Sequence, residues 1–407
     1  MSRIGLALAG GGPLGAVYEI GALVALEESV SGLDLNALDG YVGVSAGSFL
    51  AAGLANGMTA RQLCTAFIDG DPRHPDHVPA AMFTRPAVAE IAGRLATLPR
   101  LAGQAAWQAL RGRPLLTALE SLGRVLPTGL FSHAPIEARL HSLLSAPGRS
   151  DDFRTLAATR GRHLVIVATD LDSGEAVPFG RPGHDHVPIS RAVAASAALP
   201  GLFPPVAVDG RWCVDGALKK TLHASVLLDD GAGLVICLNP LVPFDATHPQ
   251  RHRVLAGGEA PIPRIVDGGL PVVLSQTFRS LIHSRLELGL KGYGNSHPRA
   301  DLLLFEPDHR DPALFLANVF AYGQRRALAE HAYQATRADL RKRRSALRPV
   351  LARHGLALDD TALDDPFRRL LPRRQRRAEP PRSAAAQALR RLDEVLDDLE
   401  RALPPAA

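Results

Sequence analysis

Residues 4–15, IGLALAGGGPLG, and residues 40–55, GYVGVSAGSFLAAGLA, decide how this chain is read. Ile4–Ala9 is a short apolar run ending in glycines, the pattern of a buried strand. Pro13 suits the first turn of a helix, and Val17, Ile20, Leu23, Val24 and Leu26 carry its apolar positions until Ser31-Gly32. Gly40–Val44 is a second buried strand that runs directly into a small-residue helix, Ala46–Ala55. Strand, helix, strand, helix within so short a span predicts an α/β fold with a mainly parallel sheet and right-handed crossovers.

Working outward, residues 58–150 read as mostly helical, with breaks at Pro99, Pro114, Pro127 and Pro135. His163–Thr169 resumes the sheet, a turn at Asp172-Ser173-Gly174 leads into Glu175–Phe179, and Ile189–Ala198 is helical until Pro200. Leu234–Asn239 and Leu302–Phe305 are further strands, and Pro312–Gln334 is a helix. The expected organisation is a catalytic region over 1–240 with a helical insertion at 58–150, a C-terminal part of the core over 241–335, and a basic helical tail over 336–407. In that tail an Arg/Pro-rich linker, Pro366–Arg382, separates Thr336–Ala352 from Ala384–Leu403.

Of 407 residues, 46% are apolar, which excludes wholesale disorder. Three scattered cysteines (Cys64, Cys213, Cys237) exclude a disulfide scaffold or a Cys-rich zinc module and fit a reducing compartment. The last 71 residues hold 17 basic and 11 acidic side chains, while the first 336 hold 29 and 30. The positive excess therefore describes the tail, and the body has no nucleic-acid-binding charge. Residues 4–18 and 40–60 are uncharged, but their glycines and Pro13 break any export signal or spanning helix. The expected location is cytoplasmic, with peripheral attachment to the inner membrane face as an option.

Three motifs carry chemistry. Gly10-Gly11-Gly12-Pro13-Leu14-Gly15 satisfies the G-x-G-x-x-G dinucleotide fingerprint. Such a fold wants an acid at the end of its second strand, where this chain has Val44-Ser45, with Asp39 at the opposite end. The same glycines can form an anion cradle of backbone amides at a helix N-terminus, or a plain tight turn. Gly43-Val44-Ser45-Ala46-Gly47 is a G-x-S-x-G between strand and helix, the context of a nucleophile elbow, although 37 glycines make a chance match easy. Val214-Asp215-Gly216-Ala217 contains a turn dipeptide that also occurs at Asp39, Asp209, Asp230 and Asp267, and alone it says nothing.

In this order the three motifs resemble the patatin-like phospholipase family of lipid acyl hydrolases. Ala195-Ser196-Ala197-Ala198-Leu199-Pro200 with Phe203-Pro204 adds a fourth block similar to the family's, so the resemblance covers roughly residues 3–240. It implies a three-layer α/β/α fold, with the C-terminal tail as a helical extension. It also implies a Ser–Asp dyad, with Ser45 as nucleophile and Asp215 as its base, and no histidine between them. The amides of Gly10, Gly11 and Gly12 would form the oxyanion hole, with Gly15, Gly43, Gly47 and Gly216 supporting the turns. No cofactor or metal is implied, and the substrate would be an acyl lipid at a membrane or micelle.

Two departures stand out. Leu14 replaces a frequent cation of the family's loop, and Thr221 and His223 stand where an Asn…Pro pattern is common. His223 is the one histidine worth testing for a triad, and Cys213 reads as a core residue rather than a nucleophile. Residues 80–131 interleave Met82, Phe83, Leu95, Leu98, Leu101, Trp107, Leu110, Leu115 and Leu116 with arginines, which suits either a lipid-facing surface or a packed helical cap; Phe278–Leu290 poses the same choice. Leu389, Leu392, Leu396, Leu399 and Leu403 form a short a/d stripe able to dock on the body or on a second copy, and Arg368–Arg377 is either a solvated linker or an anionic-lipid contact.

Overall fold

A computed structural model of the chain describes residues 2–111, 126–247, 252–254, 258–260, 264–315 and 324–371. Met1–Leu370 forms one compact unit. The tail leucines 389–403, the arginines beyond 371, and Arg113, Leu115 and Leu116 lie outside the described residues.

An eight-stranded sheet organises that unit. Its strands are β1 (Ile4–Leu8), β2 (Gly40–Val44), β3 (His163–Asp170), β4 (Ala176–Phe179), β5 (Val206–Val208), β6 (Arg211–Asp215), β7 (Leu234–Leu238) and β8 (Asp301–Phe305). The order is β8-β7-β1-β2-β3-β6-β5, with β4 also on β3. From β8 to β3 every pairing is parallel, while the pairings β3–β4, β3–β6 and β6–β5 are antiparallel. The principal helices are α1 (Gly12–Ser29), α2 (Ala46–Ala55), α3 (Ile189–Ser196), α4 (Gly269–Ser296) and α5 (Arg325–Lys342).

Strands buried on both faces read as continuous apolar runs rather than alternations, which is how β1, β2, β7 and most of β3 are written. Ala7, Val42, Val165, Val235 and Cys237 share one face and pack with Leu227, Leu228 and, from α4, Leu286. The opposite face carries α2, with α1 packed against α2 and α5 against α1. Gly21 makes that last approach possible, because a Cβ there would stand 2.5 Å from the Ala329 carbonyl. The result is three layers, α/β/α.

Several elements differ from the sequence expectation. Helix α1 ends at Ser29, because Val30-Ser31 pairs antiparallel with Ala357-Leu358. The expected helix over 312–334 is two pieces, Pro312–Phe315 and α5, with 316–323 outside the described residues. The β5–β6 hairpin was not anticipated. Its turn is Asp209-Gly210, both at positive φ (50° and 76°), joining the paired residues Val208 and Arg211. Two successive left-handed residues are the requirement of a two-residue type I′ hairpin. The dipeptide that looked uninformative is what aims β6.

Candidate active site

The site lies where the parallel strands end. Strand β2 pairs with β3 up to Val44 opposite Val167, and β6 pairs with β3 from Asp215 opposite Ala168. Strand β4 pairs with Ile166 through Thr169 and so occupies the other edge of β3. A strand has two edges, so β2 and β6 must share one, meeting end to end at adjacent positions. Ser45 leaves that lane as Asp215 arrives in it. This register brings together two side chains 170 positions apart.

Ser45 sits at φ 49°, ψ −121°, a conformation that costs a non-glycine residue on the order of 1–3 kcal/mol. The turn is held by contacts that only small residues permit. A Cβ on Gly47 would lie 2.5 Å from the Ala9 carbonyl, and one on Gly43 would lie 2.6 Å from Ser48 Cα. The Gly47 amide donates to that Ala9 carbonyl at 3.0 Å, joining the elbow to the end of β1. Ser45 is the N-cap of α2, but its hydroxyl makes no capping hydrogen bond to the helix backbone. Its amide donates to Ser196 Oγ at 2.8 Å, and Ser196 Oγ donates to the Val167 carbonyl at 2.6 Å.

Asp215 is 3% exposed. Burial pushes its carboxyl up to about 6, against opposing pulls from hydrogen bonds with the Ser45 side chain and the Ala217 amide. The Ala217 amide donates to Asp215 Oδ1 at 2.9 Å, and Thr169 Oγ1 donates to the Asp215 carbonyl at 3.1 Å. Gly216 has no room for a side chain, since a Cβ would stand 2.1 Å from the Val167 carbonyl. A carboxylate tuned toward neutrality beside a serine hydroxyl is equipped to accept a proton from it.

The glycine loop closes the site. A Cβ on Gly10 would touch Ser45 Cβ at 3.1 Å and Ala217 Cβ at 3.2 Å, so the loop bridges both motifs. Among the described residues, the amides of Gly10, Gly11 and Gly12 have no acceptor. Gly12 adopts φ 61° at the start of α1. Gly11 and Gly15 are glycine for a different reason: Pro240 Cγ would lie 2.7 Å and 3.1 Å from Cβ atoms there. Free amides at the N-terminus of an 18-residue helix favour an anion beside Ser45.

The dinucleotide alternative loses its ribose partner. Asp39 lies before β2, at the far end of the sheet, with its carboxylate accepting the Ile4 amide at 2.7 Å. His223 is buried at φ 45° and hydrogen-bonds the Gly216 backbone, while its Nε2 has no partner among the described residues. Burial first, then Lys220, lowers it to about 4, so it stays neutral under the turn that follows Asp215. Thr221 is buried in the same segment. Cys213 faces the core, its thiol pushed up to about 11 by burial. Ser196, Pro240 and Arg285, whose guanidinium donates to the Leu218 carbonyl at 2.9 Å, support the site without having been assigned roles from sequence.

A family model described as patatin-like phospholipase matches residues 6–228. An uncharacterised NTE family protein of Mycobacterium tuberculosis is 34% identical over 104 residues, covering 24% of this chain and 17% of that protein. A second one from the same organism is 36% identical over 75 residues, 18% of this chain and 19% of its own length. The chain thus spans less than a fifth of the curated relatives it matches. Among solved structures, human GIVD cytosolic phospholipase A2, in complex with methyl gamma-linolenyl fluorophosphonate, aligns at TM-score 0.35 and 14% identity, covering 85% of this chain and 59% of that one. The type III effector protein ExoU aligns at TM-score 0.33 and 20% identity, covering 84% and 53%.

Proposed function

The chain belongs to the patatin-like phospholipase family, and from that premise we propose that it hydrolyses acyl esters of phospholipids or related lipids through Ser45 and Asp215. Ser45 Oγ attacks the ester carbonyl while Asp215 accepts its proton. The amides of Gly10, Gly11 and Gly12 receive the negative charge of the tetrahedral intermediate, each such donor typically worth about 10²–10³ in rate. Asp215 returns the proton to the leaving alcohol, then draws one from the water that attacks the acyl-enzyme and hands it to Ser45 Oγ as the acid departs. Gly15, Gly43, Gly47 and Gly216 hold the turns that set these distances. The observation carrying the proposal is the end-to-end meeting of β2 and β6, which sets a buried carboxyl of raised pKa against the elbow serine.

Substrate is proposed to come from a lipid surface. Supporting this, Leu270, Leu274, Phe278, Leu281 and Leu288 are exposed along α4, and Trp107 is exposed between Leu98 and Arg111. No helix of the described residues is long and apolar enough to cross a membrane. Peripheral contact at the inner membrane face fits this reading. So does a division of labour in which 1–240 carry the chemistry, 58–150 form its cap and 241–335 complete the core; of the 336–407 tail, residues up to Leu370 belong to the compact unit, which leaves 371–407 to contact lipid or a second copy.

A lipid-panel assay combined with fluorophosphonate labelling tests the reading. Wild type should turn over at least one acyl lipid and take up the probe at Ser45. Ser45→Ala should do neither, and Asp215→Asn should lose turnover while remaining folded. Equal turnover in all three proteins would end the hydrolase proposal.

A further inference from the structure

Away from Ser45, the same end of the sheet gathers a second group of donors. Strands β7 and β8 pair in register up to Leu238 opposite Phe305, so the next residues, Asn239 and Glu306, emerge side by side. Asn239 is fully buried, and its Nδ2 donates to Glu306 Oε1 at 2.6 Å. Helix α4 brings His283 over this point, and His309 follows Glu306 by three residues. One donor atom from each of His283, Glu306 and His309 lies within 4.8 Å of the others, and the two imidazole rings meet edge to face.

The contacts of His283 with its neighbouring carboxylates are longer than direct hydrogen bonds. His283 Nε2 faces Glu287 Oε1 at 3.4 Å, one helical turn on, a contact suited to Nε2–H. That tautomer leaves the buried Nδ1 with a lone pair. Nδ1 has no hydrogen-bond partner among the described residues and stands 3.8 Å from Glu306 Oε1. A direct hydrogen bond would close to about 2.9 Å. Two ligands on one tetrahedral ion, each about 2.0–2.1 Å from it, would be about 3.4 Å apart. The gap suits an ion between two acceptors better than a bond between them.

We propose that His283, Glu306 and His309 form a binding site for a divalent transition metal of the zinc class. Two imidazoles and one carboxylate are a borderline-soft set, suited to such an ion and poorly suited to calcium or magnesium. Glu287 and Asn239 act behind the ligands, the first fixing the His283 tautomer and the second orienting Glu306. The sequence reading implied no metal because these residues come from a helix and the loop after a strand, with none of the compact spacing that marks a zinc module. The site is separate from the ester chemistry and does not depend on it. It is also close to the glycine loop, since Pro240, next to Asn239, abuts Gly11 and Gly15.

Titration of metal-stripped full-length protein with Zn²⁺, against a chromophoric competitor and by calorimetry, tests the site. Wild type should take up one equivalent with high affinity. The double variant His283→Ala/His309→Ala should lose that equivalent, binding at least about 100-fold more weakly, with an unchanged circular dichroism spectrum. Glu306→Gln keeps an acceptor for Asn239 but removes the charge, so it should bind about 10-fold or more weakly and serves if the double variant misfolds. Zinc uptake by wild type that neither variant weakens would overturn the proposal, as would no uptake by wild type at all.

Discussion

The backbone amide of Ser45 donates to Ser196 Oγ, and the same hydroxyl donates onward to the Val167 carbonyl. One fully buried serine thus links the strained elbow, helix α3 and the strand on which both β2 and β6 are registered.

Ser196→Ala leaves a buried amide and a buried carbonyl without partners. The expected cost is about 1–3 kcal/mol of stability, visible in chemical denaturation. Fluorophosphonate labelling of Ser45 should slow relative to wild type at a temperature where both are folded, because the elbow loses the acceptor for its amide. Unchanged labelling would mean that the elbow does not depend on this bridge.

In the proposed mechanism Asp215 must be ionised to accept a proton, and its carboxyl is pushed up to about 6. Activity in kcat/KM should therefore be full above that value and fall tenfold per pH unit well below it. The same shift opposes folding at neutral pH, where the unfolded carboxyl is ionised without penalty. Asp215→Asn should then melt at or above the wild-type temperature at pH 7 while losing turnover. A profile flat from pH 5 to 8 would remove Asp215 from the role of base.

Gly47 and Gly12 should respond differently to alanine. Gly47→Ala would drive a methyl group into the backbone of Leu8 and Ala9, at the end of a central strand unable to move away, so little folded protein should accumulate. At Gly12 nothing lies within 4 Å, and only its φ of 61° opposes a side chain. Gly12→Ala should fold with a loss of about 1–2 kcal/mol. Expression yield and thermal melting of the two variants check the contrast.

Glu19 of α1 is fully buried, and that burial raises its carboxyl well above the ordinary range, against a smaller pull from the Ala9 backbone. The folded state keeps this proton at pH values where the unfolded chain has released it. Stability should therefore fall as pH rises above the unfolded value near 4.5, by about 1.4 kcal/mol per unit for this group. Glu19→Gln should remove that slope and be the more stable protein at pH 8. Urea denaturation of both proteins at pH 5 and pH 8 reads the difference.

The opening βαβα unit was legible because its strands are apolar throughout and its helices are bracketed by glycine and proline. Ser45 was legible as a motif on a strand-to-helix turn. Asp215 was legible only by its order after the other motifs, because an Asp-Gly pair alone is an ordinary turn. The hairpin that delivers it was missed, since Arg211 and Trp212 are exposed and dilute the apolar signal of β6. Ser196 stood out only as a member of the Ala195–Pro200 block and Pro240 not at all, and neither carried a mark of what it does. One is read through hydrogen bonds to residues far away in sequence, the other through the glycines it crowds. The donor cluster at His283 needed the sheet register to bring Asn239 beside Glu306.

Strands β2 and β6 occupy the same edge of β3, so the spacing of Ser45 and Asp215 is set by consecutive rungs, Val44 opposite Val167 and Asp215 opposite Ala168. Much of what lies between them in the chain can change size or shape without moving either rung. Under the proposed mechanism the intervening segments are therefore an exchangeable cassette in which substrate choice is rewritten while Ser45 and Asp215 keep their separation.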